Sequence, residues 1–208
     1  MKNIAIFASG GGSNLKAIYS SIVSQSINGK IAIVVSNNPT SGAIEFAKEC
    51  KINFFVINKQ ICPDQYKRES NILEELINKK IDLICLAGYL KLVPEIIINY
   101  YRNCILNIHP SLLPQYGGKG FYGMHVHEAV IASGDKRSGV TIHFVNEKYD
   151  RGEILIQEVV EVKSNDTPKS LSHRILKIEH RLYSFAIKAF CENKIVWEKG
   201  VPLLKDIK

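Results

Sequence analysis

Two side chains at the end of an apolar run offer the clearest chemistry in the sequence. In Ile105-Leu106-Asn107-Ile108-His109-Pro110, Asn107 and His109 are two residues apart, so in a strand they leave the same face and can act on one ligand atom. Imidazole exchanges a proton near neutral pH, and a carboxamide N–H can donate to a developing oxyanion. Such a pair suits acyl transfer. Either residue alone would more often be a polar strand end that caps the sheet; the pair beside two prolines favours function. Pro110 cannot extend a ladder and Pro114 restrains Leu113, so the strand is expected to stop at His109 and give way to a shaped loop.

A second stretch points to an anion. Asn3 to Ala8 is β-prone and runs into Ser9-Gly10-Gly11-Gly12-Ser13-Asn14, after which Leu15, Ile18 and Ile22 recur at helical spacing. Glycines allow close backbone approach, and the N–H groups opening the helix favour phosphate, with Gly11, Gly12, Ser13 and Asn14 as the expected cradle. The loop has neither the G-x-G-x-x-G of a dinucleotide site nor the G-K-[ST] of a P-loop, which leaves a phosphomonoester as the better guess.

The intervening elements must position these groups. Lys30 to Ser36, Asn53 to Ile57, Asp82 to Ala87 and Cys104 to His109 read as further strands, separated by helices at about Gly42 to Cys50, Tyr66 to Lys79 and Pro94 to Tyr101. Strands alternating with helices imply a mostly parallel, helix-flanked open α/β sheet, which binds ligands beyond the carboxyl ends of its strands. That rule puts Gly10 to Asn14, Gly88 to Val93 and Asn107 to Pro114 on one rim. Tyr89, Leu90, Lys91, Leu92 and Val93 are too apolar for a simple exposed loop and are read as the wall for a flat organic ligand. Gln115 to Gly123 reads as a mobile flap. His125 and His127 open a helix to Ser133; an i, i+2 pair diverges there and no ligand cluster completes it, so no metal is expected.

Gly139 to Val145 and Glu153 to Val162 alternate as half-buried strands, giving an antiparallel C-terminal part. Asp150 lies in their connecting turn, where Asp usually bonds its own backbone, and His143 is read as a structural histidine. Thr167 and Pro168 open a long helix with Leu171, Ile175, Ile178, Leu182, Phe185 and Ala189 as its buried stripe; Glu179 falls at the edge of that stripe, as a solvated flank residue or one able to reach ligand hydroxyls. Lys194 to Trp197 reads as a short closing strand followed by a loose basic tail.

With 208 residues, 46% apolar and 23% charged, the chain is expected to be one folded domain. It would comprise a phosphate-binding βα half over residues 1–100 and a second half over 101–208. No ~18-residue apolar run predicts a membrane span, and the N-terminus has no leader pattern, so a cytoplasmic protein is expected. Five scattered cysteines show no zinc or disulfide spacing. The formal charge of +7 is dispersed, which favours solvated lysine faces over a nucleic-acid surface.

The assembled motifs resemble the folate-dependent formyltransferase family, in its branch acting on glycinamide ribonucleotide. The resemblance runs nearly end to end and is carried by SGGGSNL (9–15), LAGYLKLV (86–93), NIHPSLLP (107–114), HFVNEKYDRG (143–152) and IEHRLY (178–183). It implies a Rossmann-like formyltransferase fold and transfer of formyl from 10-formyltetrahydrofolate, a co-substrate, to the ribonucleotide amine in purine synthesis. It assigns Asn107 and His109 to the oxyanion and Asp150 to a water-linked proton relay beside His109. It gives the phosphate to Gly11 to Asn14, the pterin to Tyr89 to Val93 and the Asp150 loop, and the ribose hydroxyls to Glu179. Residues 101–208 would then be the catalytic and folate-binding half. No metal, nucleic acid or membrane partner is implied, and the chain would be a monomer or homodimer. Lys91 stands where many relatives carry Arg, and Gln115 to Gly123 resembles the longer variants. The alternatives are another folate-dependent formyltransferase, a formyltetrahydrofolate hydrolase, or a non-catalytic ribonucleotide-binding module. The first two are expected to carry an added domain, and the last leaves Asn107, His109 and Asp150 without a purpose.

Overall fold

Ile4 to Ala8 and Leu83 to Leu86 are runs of consecutive apolar residues, stable as strands only where both faces of a sheet are covered. In the computed structural model, which describes residues 1–205, these runs build β1 (Lys2–Phe7) and β4 (Leu83–Leu86), paired in parallel and fully buried at their centres. β2 (Gly29–Ser36) lies parallel on the other side of β1, and β3 (Phe54–Val56) parallel to β2. Between them run α1 (Ser13–Val23), α2 (Gly42–Glu49), α3 (Gln65–Asn78) and, after β4, α4 (Glu95–Tyr100). The Ser41 side chain caps α2 and the Asp64 side chain caps α3, each accepting a first-turn N–H.

The chain divides into two compact units, Met1–Leu106 and Asn107–Lys208, at a point inside β5 (Ile105–His109). The second unit continues with α5 (Met124–Ser133), β6 (Arg137–Phe144), β7 (Ile154–Glu161), α6 (Pro168–Cys191), β8 (Ile195–Glu198) and β9 (Val201–Leu204). The hydrogen-bonded strand order is β3-β2-β1-β4-β5-β6-β7, mostly parallel with β6 and β7 antiparallel, while β8 and β9 form a separate hairpin. This is the open α/β sheet with an antiparallel C-terminal part that the alternation predicts. Among the described residues no helix is long and apolar enough to cross a membrane.

Two expectations for the C-terminal half need correction. The buried stripe of α6 runs Leu171, Ile175, Glu179, Leu182, Ala186, leaving Ile178 and Phe185 half-buried; Glu179 is 8% exposed and sits inside the buried face rather than at its edge. The helix packs on α5, β6 and β7 together, which widens the covered face beyond a single 3–4 stripe. The expected loose tail is instead largely the β8–β9 hairpin, held where the Trp197 ring meets that of Phe144 at 4.7 Å. An aromatic pair of this kind adds ~1 kcal/mol beyond area burial, enough to order a short hairpin end. Residues 206–208 of that tail lie outside the described residues.

Candidate active site

The side chains of Asn107 and His109 leave β5 on one face, as their spacing requires, and both reach the carboxylate of Asp150. The Asn107 amide nitrogen lies 3.3 Å from Asp150 Oδ1, and His109 Nδ1 lies 3.6 Å from Asp150 Oδ2. His143, one strand away on β6, joins them with Nε2 3.0 Å from the Asn107 amide nitrogen and 3.6 Å from Asp150 Oδ1. The β6–β7 ladder shifts register between Ile142 and His143, the kind of irregularity that re-aims a strand side chain.

Carbonyl partners fix the protonation pattern, because a carbonyl only accepts. His143 Nδ1 is 2.7 Å from the Phe144 carbonyl and must donate there. In the neutral ring Nε2 then accepts from the NH₂ end of Asn107, and in the charged ring it donates to Asp150. His109 Nε2 is 2.8 Å from the Tyr116 carbonyl and must donate to it, leaving Nδ1 as the nitrogen that titrates, facing Asp150.

Asp150 occupies its turn with φ of 53°, a conformation that short polar residues tolerate best. Its carboxylate does not serve the turn. Asn146 does that work, accepting from the Lys148 N–H at 3.0 Å and donating to the Arg151 carbonyl at 3.0 Å. The Asp150 side chain accepts instead from the Gly118 N–H at 2.8 Å, in addition to Asn107. Burial pushes its carboxyl up, but His143, His109 and the Gly118 N–H together hold it below the usual carboxylate range. For His109 burial is the largest influence and wins, so the imidazole lies below 6.5 although Asp150 and the Tyr116 carbonyl favour its charged form. The Asp150 charge thus favours the imidazolium without carrying the net shift.

The loop after His109 is shaped from below by polar strand residues. Thr141 donates to the Ser111 carbonyl at 2.6 Å and accepts the Leu113 N–H at 3.1 Å, while Gln157 donates to the Leu113 carbonyl at 2.9 Å. The segment expected as a flap is tied in at Tyr116 and Gly118. His125 points outward to Glu128 at 3.2 Å, whereas His127 is buried, and burial, then His109, lowers its pKa to about 4. Glu179 is buried in this second unit on α6.

In the first unit the glycine loop leads into α1 through Gly12, whose φ of 76° suits glycine and which provides no side-chain cap. A Cβ on Gly10 or Gly11 would meet nothing within 4 Å, so the protein itself gives no steric reason for glycine there. Ser9 ties this loop to residues 88–93. Its hydroxyl accepts the Leu90 N–H at 2.9 Å and donates to Asn37 Oδ1 at 2.5 Å, and its N–H reaches the Gly88 carbonyl at 3.0 Å. Tyr89 stacks edge-on against Phe7 at 5.2 Å, Val93 is buried, and Leu90 and Leu92 are exposed. A cleft of about 860 Å³ is lined by Tyr89, Lys91, Leu92, Asn37, Asn58 and Arg68, among others.

Residues 2–187 match the formyl transferase family. The chain belongs to that family. It is 44% identical over 98% of its length to "Phosphoribosylglycinamide formyltransferase, chloroplastic" of Vigna unguiculata, spanning 66% of that relative. It is 35% identical over 90% of its length to the Bacillus subtilis phosphoribosylglycinamide formyltransferase, spanning 94% of it. Among solved structures, glycinamide ribonucleotide transformylase 1 from Symbiobacterium toebii superposes with a TM-score of 0.91 at 34% identity, covering 99% of this chain and 95% of that one. Within this formyl transferase the sequence signals Asn107, His109 and Asp150 meet at one carboxylate. The sequence reading missed the participation of His143, Tyr116, Gly118 and Thr141. For His143 a signal existed, since it shares one strand face with Thr141, a second polar residue in a buried run.

Proposed function

We propose that this formyl transferase moves the formyl group of 10-formyltetrahydrofolate to the amine of glycinamide ribonucleotide, in purine synthesis. The observation that carries the reading is the carboxylate of Asp150, withdrawn from its own turn to meet Asn107 and His109, in a chain whose relatives bear that enzyme's name. The amine nitrogen bonds to the formyl carbon as electrons move onto the formyl oxygen; they return as the bond to the folate nitrogen breaks. Asn107 donates to that oxygen, giving up its longer bond, the one to Asp150, and His109 Nδ1–H donates when protonated. Asp150 steadies the imidazolium and, through water, helps carry the proton that leaves the attacking nitrogen toward the departing one.

The first unit's residues fit the two substrates. Gly11, Gly12, Ser13 and Asn14 open α1 without a side-chain cap, which suits the phosphate. The exposed Leu90 and Leu92 beside Tyr89, with Lys91 and Arg68 on the same cleft, suit an aromatic ligand carrying carboxylates. Glu179 takes ribose hydroxyls in this reading. Five free cysteines fit a reducing compartment, and the cytoplasm is the location we favour. The test is turnover with 10-formyltetrahydrofolate and each acceptor in turn, water included. Formylation of glycinamide ribonucleotide with negligible formate release is expected; formate release independent of any amine would overturn the reading.

A further inference from the structure

Three consecutive residues after the shaped loop each touch the His109–Asp150 pair. The Tyr116 carbonyl takes His109 Nε2–H at 2.8 Å, and the Gly118 N–H is held by Asp150 Oδ2 at 2.8 Å. Between them, Gly117 approaches so closely that an added Cβ would stand 3.2 Å from the Asp150 Cβ and 2.4 Å from Leu113 Cδ2. The segment therefore bonds to both members of the pair. Tyr116 itself has a φ of 54°, a left-handed conformation that costs a bulky residue roughly 1–2 kcal/mol unless something holds it. Its phenol supplies the hold. The Tyr116 hydroxyl lies 2.5 Å from Asp135 Oδ2 and 2.6 Å from Ser133 Oγ, at the C-terminal end of α5, where the Ser133 hydroxyl in turn reaches the Val130 carbonyl at 2.8 Å. A phenol donates one proton, and the carboxylate, unable to donate, must receive it; the Ser133 hydroxyl then gives its own proton to the phenol oxygen in place of the Val130 carbonyl.

We propose that Tyr116 is a positioning residue for the transfer chemistry: its phenol, anchored on Asp135 and Ser133, holds its own strained carbonyl against His109 Nε2, which keeps a proton there and leaves Nδ1 to face Asp150 and the reacting oxygen. The inference rests on His109 acting in formyl transfer as proposed above. It goes further by naming the device that selects which ring nitrogen works. Without the anchor the backbone relaxes from the left-handed region, the carbonyl swings away, and the imidazolium loses one of its two stabilising partners. The groups that face His109 are then Asp150 from the β6–β7 turn, which favours its charged form, and His143 from β6 and His127 from α5, which do not.

The test is Tyr116→Phe, with Asp135→Ala as an independent route to the same anchor. In ¹⁵N NMR of the whole chain, wild-type His109 should show the proton on Nε2 in its neutral form, and Tyr116→Phe should mix the tautomers and lower the His109 titration midpoint. Formyl transfer should fall ~10-fold in kcat, the scale of one hydrogen bond, with KM for both substrates within about twofold. Asp135→Ala should reproduce these changes, and the double variant should be no worse than either single one. A tautomer and pH profile unchanged in Tyr116→Phe, with only a lower Tm, would overturn the proposal, as would an effect of Tyr116→Phe that Asp135→Ala does not share. Should the wild type transfer no formyl group, the functional reading fails while the NMR result still decides the tautomer question.

Discussion

From Ser9 to Leu15 the first unit offers not one titratable side chain, whereas the second brings two histidines each to 3.6 Å from one aspartate. The glycine loop works with backbone dipoles, whose charge does not change with pH, and is suited to hold a permanent anion. The Asp150 cluster holds groups that gain and lose protons: burial lowers the pKa of His109, and hydrogen-bond and charge partners hold that of Asp150 down against burial. On the proposed reading, recognition and chemistry are built from different parts of the same polymer. Variants in the first unit should disturb binding and backbone geometry, while those in the second should disturb rate and its pH dependence.

The largest effect should come from the second unit. Asn107→Ala and His109→Ala are each expected to lower kcat by ~100-fold or more while substrates still bind. If both act on one oxygen, as proposed, the double variant should lose far less than the product of the two factors, which steady-state kinetics of the four proteins would read. Multiplicative losses would mean two independent sites of action.

Asp150→Asn sharpens the same contrast. Asn tolerates the φ of 53° and keeps a side-chain oxygen for the Gly118 N–H, so Tm should hardly move. The charge is gone, however, and kcat should fall by about tenfold or more while the His109 midpoint drops in an NMR titration. A variant that melts early yet keeps most of its specific activity would show that Asp150 only shapes the hairpin.

In the first unit, Gly12→Val should act on binding. The new side chain must adopt a φ of 76° and its Cβ would stand 3.0 Å from the Ala43 Cα, so a stability loss of about 1–2 kcal/mol should accompany a several-fold rise in KM for the ribonucleotide. KM for the folate and the pH profile of kcat should stay as they are. Equal losses for both substrates would deny a local phosphate cradle.

The smallest effect is on acid stability. His127 is held at about 4 rather than 6.5, and burial also lowers His109, so the unfolded chain binds these protons more readily than the folded one. Stability is then full above pH 6.5 and declines as the pH falls toward 4. Asp150 adds a later loss: its carboxyl is held low, so its contribution persists above its usual range and disappears only below it. His127→Gln should flatten the decline between pH 6.5 and 4 in thermal melts; an unchanged slope would assign that decline to other groups.

Periodicity and turn chemistry were sufficient for the strands, the helices and the stop at His109, because these depend on residues within a few positions of one another. The same-face placement of Asn107 and His109 was legible for this reason, as was the anion-suited start of α1. The destination of the Asp150 carboxylate was not. A turn aspartate ordinarily bonds its own backbone, and here it is free to reach Gly118 and Asn107 only because Asn146 takes over the turn. His143 likewise looked structural until β6 set it beside β5, and Glu179 moved from the flank into the buried face once α6 had three elements to cover. Sequence determined which groups could do chemistry and on which element each sits, since helix and strand periods are local. Tertiary structure alone decided which met, because a hydrogen bond between residues 43 apart depends on how the intervening chain returns.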